Sequence, residues 1–229
     1  MTLFLSSAED SMNVFCTNRP IRAGDILNNG KGFTLIELAF VLVIIGLLLG
    51  MGAELLPMLI KQNKLKETRS IVKEVKTAIT GYALATGRLP YASNNTDGSE
   101  NSGTYTGYLP YATLGISGND SYQKTLFYAV DPHLTGTAST AEFKTALSEL
   151  INATHSPSLF CDSGNIQAAF IVISSGKNLR ADPPNDDNNN GTITNADNNH
   201  FEKPGAPETA SYDDVLDAVS ITYLYGRLE

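Results

Sequence analysis

Basic residues, histidine and catalytic motifs are scarce in this chain, and each scarcity excludes a class of function. Lysine and arginine number 16 against 24 aspartates and glutamates, which gives a net charge of -8. Because nucleic-acid binding needs a basic surface, we expect no nucleic-acid partner, and the acidic balance fits a secreted or surface-exposed domain. The histidines show no zinc-ligand spacing, and no phosphate loop or nucleophile elbow is present: His133, His155 and His200 are isolated. The sequence therefore predicts a protein that is not an enzyme.

One long apolar run dominates the first quarter of the chain. No charged residue occurs from Leu38 to Ala53, and the apolar character continues to Ile60. At about 1.5 Å per helical residue, residues 33–60 are long enough to cross a hydrocarbon core of about 30 Å. A single carboxylate, Glu37, lies at the entrance of this run. Charged residues cost about 2.5–3.5 kcal/mol at the centre of a membrane helix and less near the interface, so Glu37 is a candidate functional residue.

The residues around Glu37 form the motif Lys31-Gly32-Phe33-Thr34-Leu35-Ile36-Glu37. This motif resembles the processing site of type IV pilins and type II secretion pseudopilins. The resemblance implies that residues 1–32 are a cytoplasmic leader, and that prepilin peptidase cuts between Gly32 and Phe33 and methylates Phe33. It also implies that other pilin-like subunits are partners in a pseudopilus or pilus that supports protein secretion or pilus function. Glu37 would then pair with the Phe33 amine of a neighbouring subunit.

The resemblance also implies a topology. Residues 33–60 would form the membrane-spanning and filament-core half of a helix, crossing the inner (cytoplasmic) membrane once. Residues 61–229 would form the amphipathic half of that helix and a globular head outside the cytoplasm. Charge counting favours the opposite orientation, because six basic residues follow the apolar run and three precede it. We follow the motif, because charge bias is the less specific of the two signals.

Two other interpretations remain open at this point. In the first, an ordinary signal peptidase cuts at Gly50–Ala53 and releases a soluble secreted protein, which leaves Glu37 without a role. In the second, the chain is a membrane-anchored calcium-binding surface module that never polymerises. Removal of the leader would leave Cys161 as the only cysteine, so no intramolecular disulfide is expected.

The rest of the sequence predicts an α+β fold. An amphipathic stripe from Leu65 to Tyr82 extends the apolar run into one helix that reaches Thr86, where Gly87 and Pro90 end it. A second helix is predicted over residues 141–151, and strands over residues 125–130, 168–173 and 217–225. These elements predict a long N-terminal helix packed on a small antiparallel sheet.

A polar loop from Asp186 to Asp197 has the spacing of an EF-hand-type calcium site. Oxygen side chains occupy loop positions one, three and five, glycine is sixth and an acid is twelfth, so the candidate ligands are Asp186, Asn188, Asn190, Thr192 and Asp197. Calcium is the expected cofactor, bound weakly because two of the ligands are neutral asparagines. The alternative is a solvated turn, because asparagine, aspartate and glycine favour turns for their own reasons.

Overall fold

The structure is a computed structural model that describes residues 32–194 and 199–228. The predicted leader, apart from Gly32, and the predicted ligand Asp197 therefore lie outside the described residues. The chain divides into two compact units, Met1–Gly52 and Ala53–Glu229. The described helices are α1 (Leu35–Thr86), α2 (Tyr111–Leu114), α3 (Thr140–Ile151) and α4 (Ile221–Gly226). The strands are β1 (Thr106–Tyr108), β2 (Phe127–Val130), β3 (Phe160–Cys161), β4 (Ile166–Ser174), β5 (His200–Phe201) and β6 (Val215–Ser220).

Helix α1 confirms the long N-terminal helix, and it continues through Pro57. Its apolar beginning is long and apolar enough to cross a membrane, judged by length and composition, and its side chains are exposed. The helix ends at Gly87, which adopts a left-handed φ of +72° while its N–H donates to the Ala83 carbonyl over 2.9 Å. Glycine suits this position because a left-handed backbone carries no side-chain penalty there.

The sheet of the second unit is organised around β4. Strand β2 pairs with one edge of β4 and β6 with the other, both antiparallel, and β1 extends the sheet beyond β2. Strand β3 pairs antiparallel with the beginning of β4, whereas β3 and β5 pair in parallel. The predicted α+β fold is confirmed, and the parallel β3–β5 pair makes the sheet mixed where an antiparallel sheet was expected.

Both faces of the sheet are buried, which explains the uninterrupted apolar run at residues 168–173 of β4. On one face, Phe170 and Val172 pack with the amphipathic half of α1 and with α3 and α4. On the other face, Ile171 and Ile173 pack with residues from the loops, including Ile193. The polar loop after β4 is thus held to the sheet by a buried isoleucine that is 1 % exposed.

The predicted last strand is wrong over its second half. Strand β6 ends at Ser220, and residues Ile221–Gly226 form α4 instead of continuing the strand. The cause is a helix cap, because the Ser220 hydroxyl accepts a hydrogen bond from the Tyr223 N–H over 3.2 Å. The residues that α4 buries are Ile221 and Leu224, which are three positions apart as a helix requires.

Candidate functional site

The pairing of β4 with β6 brings two polar segments to the same end of the sheet. Ser174, at the end of β4, pairs with Val215, at the beginning of β6. Asp182 lies in the loop that follows β4, and Asp213 and Asp214 directly precede β6. Each of these three carboxylates has an oxygen within 4.8 Å of the others. We call this cluster the acidic centre.

Hydrogen bonds hold both oxygens of Asp182 but only one oxygen each of Asp213, whose Oδ2 accepts from the Asn178 N–H over 2.9 Å, and of Asp214. Asp214 Oδ2 accepts from the Asp182 N–H over 2.9 Å and from Asn185 Nδ2 over 2.8 Å. Asp182 Oδ2 accepts from the Asp213 N–H over 2.8 Å, and its Oδ1 accepts from Asn178 Nδ2 over 2.8 Å. The Oδ1 atoms of Asp213 and Asp214 are buried without a hydrogen-bond partner.

The electrostatics of the acidic centre are those of carboxylates crowded together away from water. Burial raises the pKa of Asp214 to about 7, assisted by the charges of Asp182 and Asp213 and opposed by the hydrogen bond from Asn185. Burial also raises the pKa of Asp213. Oxygen ligands of this kind suit a hard cation such as calcium, whose charge would remove the repulsion. A surface cavity of about 530 Å³ is lined by Asp182 and Asp213 and opens a route to the centre.

The predicted calcium loop begins beside the acidic centre but does not join it through its own side chains. Asp186 is fully buried; its Oδ2 accepts from the Gly191 N–H and its Oδ1 has no partner. The next two predicted ligands bond within the loop, where Asn188 Oδ1 accepts from the Asn190 N–H and Asn190 Oδ1 accepts from Thr192. These are turn-forming hydrogen bonds. Calcium binding by this loop stays a prediction.

Sequence reasoning missed the residues of the acidic centre. Asp213 and Asp214 precede the predicted strand over residues 217–225, and Asp182 precedes two prolines, so the sequence does not connect the two segments. They could be found by predicting that β4, which precedes Asp182, pairs with β6, which follows Asp213 and Asp214. Gly176 supports the arrangement, since a side chain there would collide with the Asp213 backbone.

The N-terminal motif has a simple local geometry. Gly32, Phe33 and Thr34 are exposed and precede the first helical residue. Thr34 caps α1, since its Oγ1 accepts from the Glu37 N–H over 3.3 Å. Glu37 therefore lies in the first helical turn, where a carboxylate also interacts favourably with the helix dipole. The Thr-x-x-Glu spacing is a helix-start signature that sequence reasoning left unused.

Comparison with known proteins identifies the type of this motif. Residues 27–53 match the family of the prokaryotic N-terminal methylation motif. In this N-terminal motif the chain resembles type IV pilin-like proteins. No curated protein and no solved structure matches it. The motif implies processing by prepilin peptidase and assembly with pilin-like subunits in general, and the apolar beginning of α1 is consistent with membrane anchoring.

Proposed function

We propose that this protein is a structural subunit of a type II secretion pseudopilus or a type IV pilus. The observation that carries the proposal is the N-terminal methylation motif at residues 27–53. In this proposal the protein crosses the inner membrane once and holds its head outside the cytoplasm. Its role is structural and not enzymatic. The one cysteine of the mature chain supports this, because Cys161 is buried and burial raises the pKa of its thiol to about 12.

The exposed apolar surface of α1 supports a role in assembly. Apart from Ile151, Leu179 and Tyr223, the large hydrophobic side chains exposed in the described chain lie between Phe33 and Ile60. A bilayer covers such a surface before assembly, and neighbouring helices cover it in a filament. The Glu37 carboxylate would neutralise the Phe33 amine of another subunit within that bundle. Loss of one member of a buried ion pair costs about 3–5 kcal/mol, which gives this pairing a measurable effect on assembly.

The processing step is tested by the N terminus of the mature protein. Terminal sequencing and intact-mass measurement of the membrane-extracted protein should find Phe33 first, carrying a methyl group. Processing by prepilin peptidase predicts this end because the motif places the cut after Gly32. A mature chain that begins at Glu54 would instead support the ordinary signal-peptide interpretation.

The assembly role of Glu37 is tested with two variants, one that removes its charge and one that removes the hydrogen bond of the helix cap. We expect Glu37→Gln to give a processed, membrane-inserted subunit that enters filaments poorly, because the side chain keeps its size and loses its charge. Thr34→Val is the matched control, since it removes the cap hydrogen bond and keeps the carboxylate. Filament yield is measured in sheared fractions. Normal yield of Glu37→Gln would overturn the pairing, and a loss in Thr34→Val alone would assign the assembly effect to the helix cap.

We also propose that the head binds calcium at the sheet end formed by β4 and β6. Support comes from the buried side-chain oxygens of the described residues that lack a hydrogen-bond partner. All of them lie in the two segments that meet there, on Ser175, Asp186, Asp213 and Asp214. Orphaned buried oxygens are costly, and a cation beside them would remove that cost. Asp182, Asp213 and Asp214 would hold the ion, and Asp186, whose buried Oδ1 also has no partner, is the candidate from the predicted loop.

Thermal unfolding of the full chain in detergent tests the calcium proposal. Calcium should raise the Tm relative to chelator, since binding to the folded state adds about 2.7 kcal/mol at a hundredfold excess over Kd. Magnesium should do so much less, because it demands a smaller octahedral cage. Asp214→Asn should abolish the shift if the acidic centre holds the ion, whereas Asp186→Asn should abolish it if the loop does. The control is Glu74→Gln, which changes an exposed acid on α1. Identical wild-type curves with calcium and chelator would reject the proposal.

A further inference from the structure

The exposed side of α1 in the second unit carries two separate rows of charge. One row, the cationic flank, consists of Lys66, Arg69 and Lys73, and the other, the acidic flank, consists of Glu67 and Glu74. All five side chains are exposed. Within residues 32–194 and 199–228, none of the five side chains has a hydrogen-bond or ion-pair partner.

Helix geometry separates the two flanks. At about 100° per residue, the three cations lie within about 60° of one another and the acids lie more than about 80° away from them. Ser70 and Thr77 lie between the flanks and are also exposed. The residues that α1 buries, including Val72, Val75 and Ile79, occupy the opposite side of the helix. The flanks therefore border a face that the head of the same molecule leaves uncovered.

The nearest opposite charges of the same molecule are already engaged. Arg69 and Lys73 border a cavity whose wall also contains Glu208 and Asp217. Glu208 pairs with Lys61 at 2.5 Å, and Asp217 pairs with Lys76 at 2.7 Å. The same wall contains Asp213 and Asp214 of the acidic centre. Among the described residues, neither Arg69 nor Lys73 forms an ion pair with any of these four carboxylates.

The acidic flank is unpaired for a similar reason. Lys64 is the basic residue three positions before Glu67, but its ammonium lies over the Tyr122 ring, 5.2 Å from the centroid.

Within the cationic flank, Arg69 and Lys73 are four positions apart, a spacing at which like charges destabilise a helix. Both flanks would consequently gain from a partner that brings the opposite charge.

The two flanks have the same spacing along the helix. Lys66 and Lys73 are seven residues apart, as are Glu67 and Glu74, which corresponds to about 10.5 Å along the axis in each case. A second, parallel copy of α1 would therefore present its acids at the spacing of the cations, offset by only about 1.5 Å.

We propose that the cationic flank of one subunit packs against the acidic flank of a second copy of this chain. This interface rests on the proposed function, assembly into a filament. The contact joins two different surfaces, so it repeats from copy to copy and leads to an open filament and not to a closed dimer. The ion pairs of this interface would lie at its solvent-exposed rim, where charge pairs set register and partner choice.

Charge reversal in the full chain tests the interface. The cation-reversed variant is Lys66→Glu/Lys73→Glu, and the acid-reversed variant is Glu67→Lys/Glu74→Lys. Each alone should lower filament yield by about tenfold or more, because like charges then face each other between copies. The quadruple variant, in which the lysines and glutamates of the two flanks exchange places while Arg69 is kept, should restore filaments. Co-expression of the two double variants should also restore them, as copolymers containing both in equal amounts.

A control variant and a folding check complete the test, and each other outcome has its own meaning. Lys203→Glu/Arg227→Glu makes the same change in net charge as the cation-reversed variant at exposed residues outside α1 and should leave filament yield unchanged. The Tm of each variant, measured in detergent, checks that the head is folded. Loss in the cation-reversed and quadruple variants with normal yield in the acid-reversed variant would assign the cations to anionic lipid and overturn the interface. Normal yield in both double variants would overturn the interface alone, whereas a wild-type chain that forms no filament would overturn the assembly function as well.

Discussion

At the residue scale, Asp214 of the acidic centre combines burial, hydrogen bonding and an oxygen without a partner in one carboxylate. Asp214 is 4 % exposed, accepts two hydrogen bonds through one oxygen and has no partner for the other. Burial disfavours the charged form, so the metal-free protein holds a proton on this group over a pH range in which an ordinary aspartate is ionised. A bound cation would reverse that preference, and calcium and the proton therefore compete for the same carboxylate.

The raised pKa of Asp214 predicts how the stability of the calcium-free protein depends on pH. Burial raises the pKa of Asp214 from an ordinary value of 3.8 to about 7 in the folded state. Between these values the folded state binds more protons than the unfolded chain, so the contribution of Asp214 to the free energy of unfolding falls as pH rises. In chelator, Asp214→Asn should match the wild type near about pH 4 and melt several degrees higher near about pH 8. Parallel Tm curves for the two proteins across this range would contradict the assigned pKa.

Calcium should show the opposite trend at the same residue. Because the ion binds the ionised carboxylate, the calcium-induced rise in Tm should grow as pH increases through the pKa of Asp214. The measurement is the difference in Tm between calcium and chelator at several pH values, made on the full chain in detergent. A calcium effect that stays constant from acid to alkaline pH would place the ion elsewhere.

At the element scale, the amphipathic half of α1 joins the N-terminal motif to the head. Ile79 is fully buried against the sheet, whereas Ile71 is only partly buried at the edge of the same cluster. Ile79→Ala should lower the free energy of unfolding by about 2–5 kcal/mol, because it removes buried methyl groups and leaves a cavity. Ile71→Ala is the matched control and should cost less. Denaturant unfolding in detergent measures both, and equal losses would mean that α1 does not pack on the sheet as described.

The elements also show how far the sequence predicts this fold. Periodicity identified α1 and α3, and the apolar run of residues 168–173 identified β4, since long stretches with one pattern carry the strongest signal. The mixed pairing of β3 with β5 was not predictable, because each contributes two residues and their contact joins distant parts of the chain. Helix α4 was mistaken for a strand, because Ile221, Tyr223 and Tyr225 alternate with other residues while the deciding signal is one capping serine. The acidic centre was missed for the same reason as the β3–β5 pair, because it depends on strands meeting.

At the scale of the whole molecule, surface chemistry divides the chain in two. The first fully buried residue of the described chain is Thr68, and the exposed apolar run ends at Ile60. Core residues of the second unit therefore come from the chain after Ile60. The segment before that point contributes its apolar surface to a bilayer or a filament in the proposed function.

This division predicts that the head folds without the apolar segment. Residues 61–229 should be soluble without detergent, should run as a monomer in size-exclusion chromatography and should show the same calcium-dependent Tm as the full chain. Lys61 is retained because it pairs with Glu208. A shorter chain, residues 77–229, is the matched control. It lacks the buried side chains of Val72 and Val75, each worth about 1.5–3 kcal/mol, and should be much less stable. If residues 61–229 aggregate while the full chain in detergent melts cooperatively, the apolar segment contributes to folding and not only to anchoring and assembly.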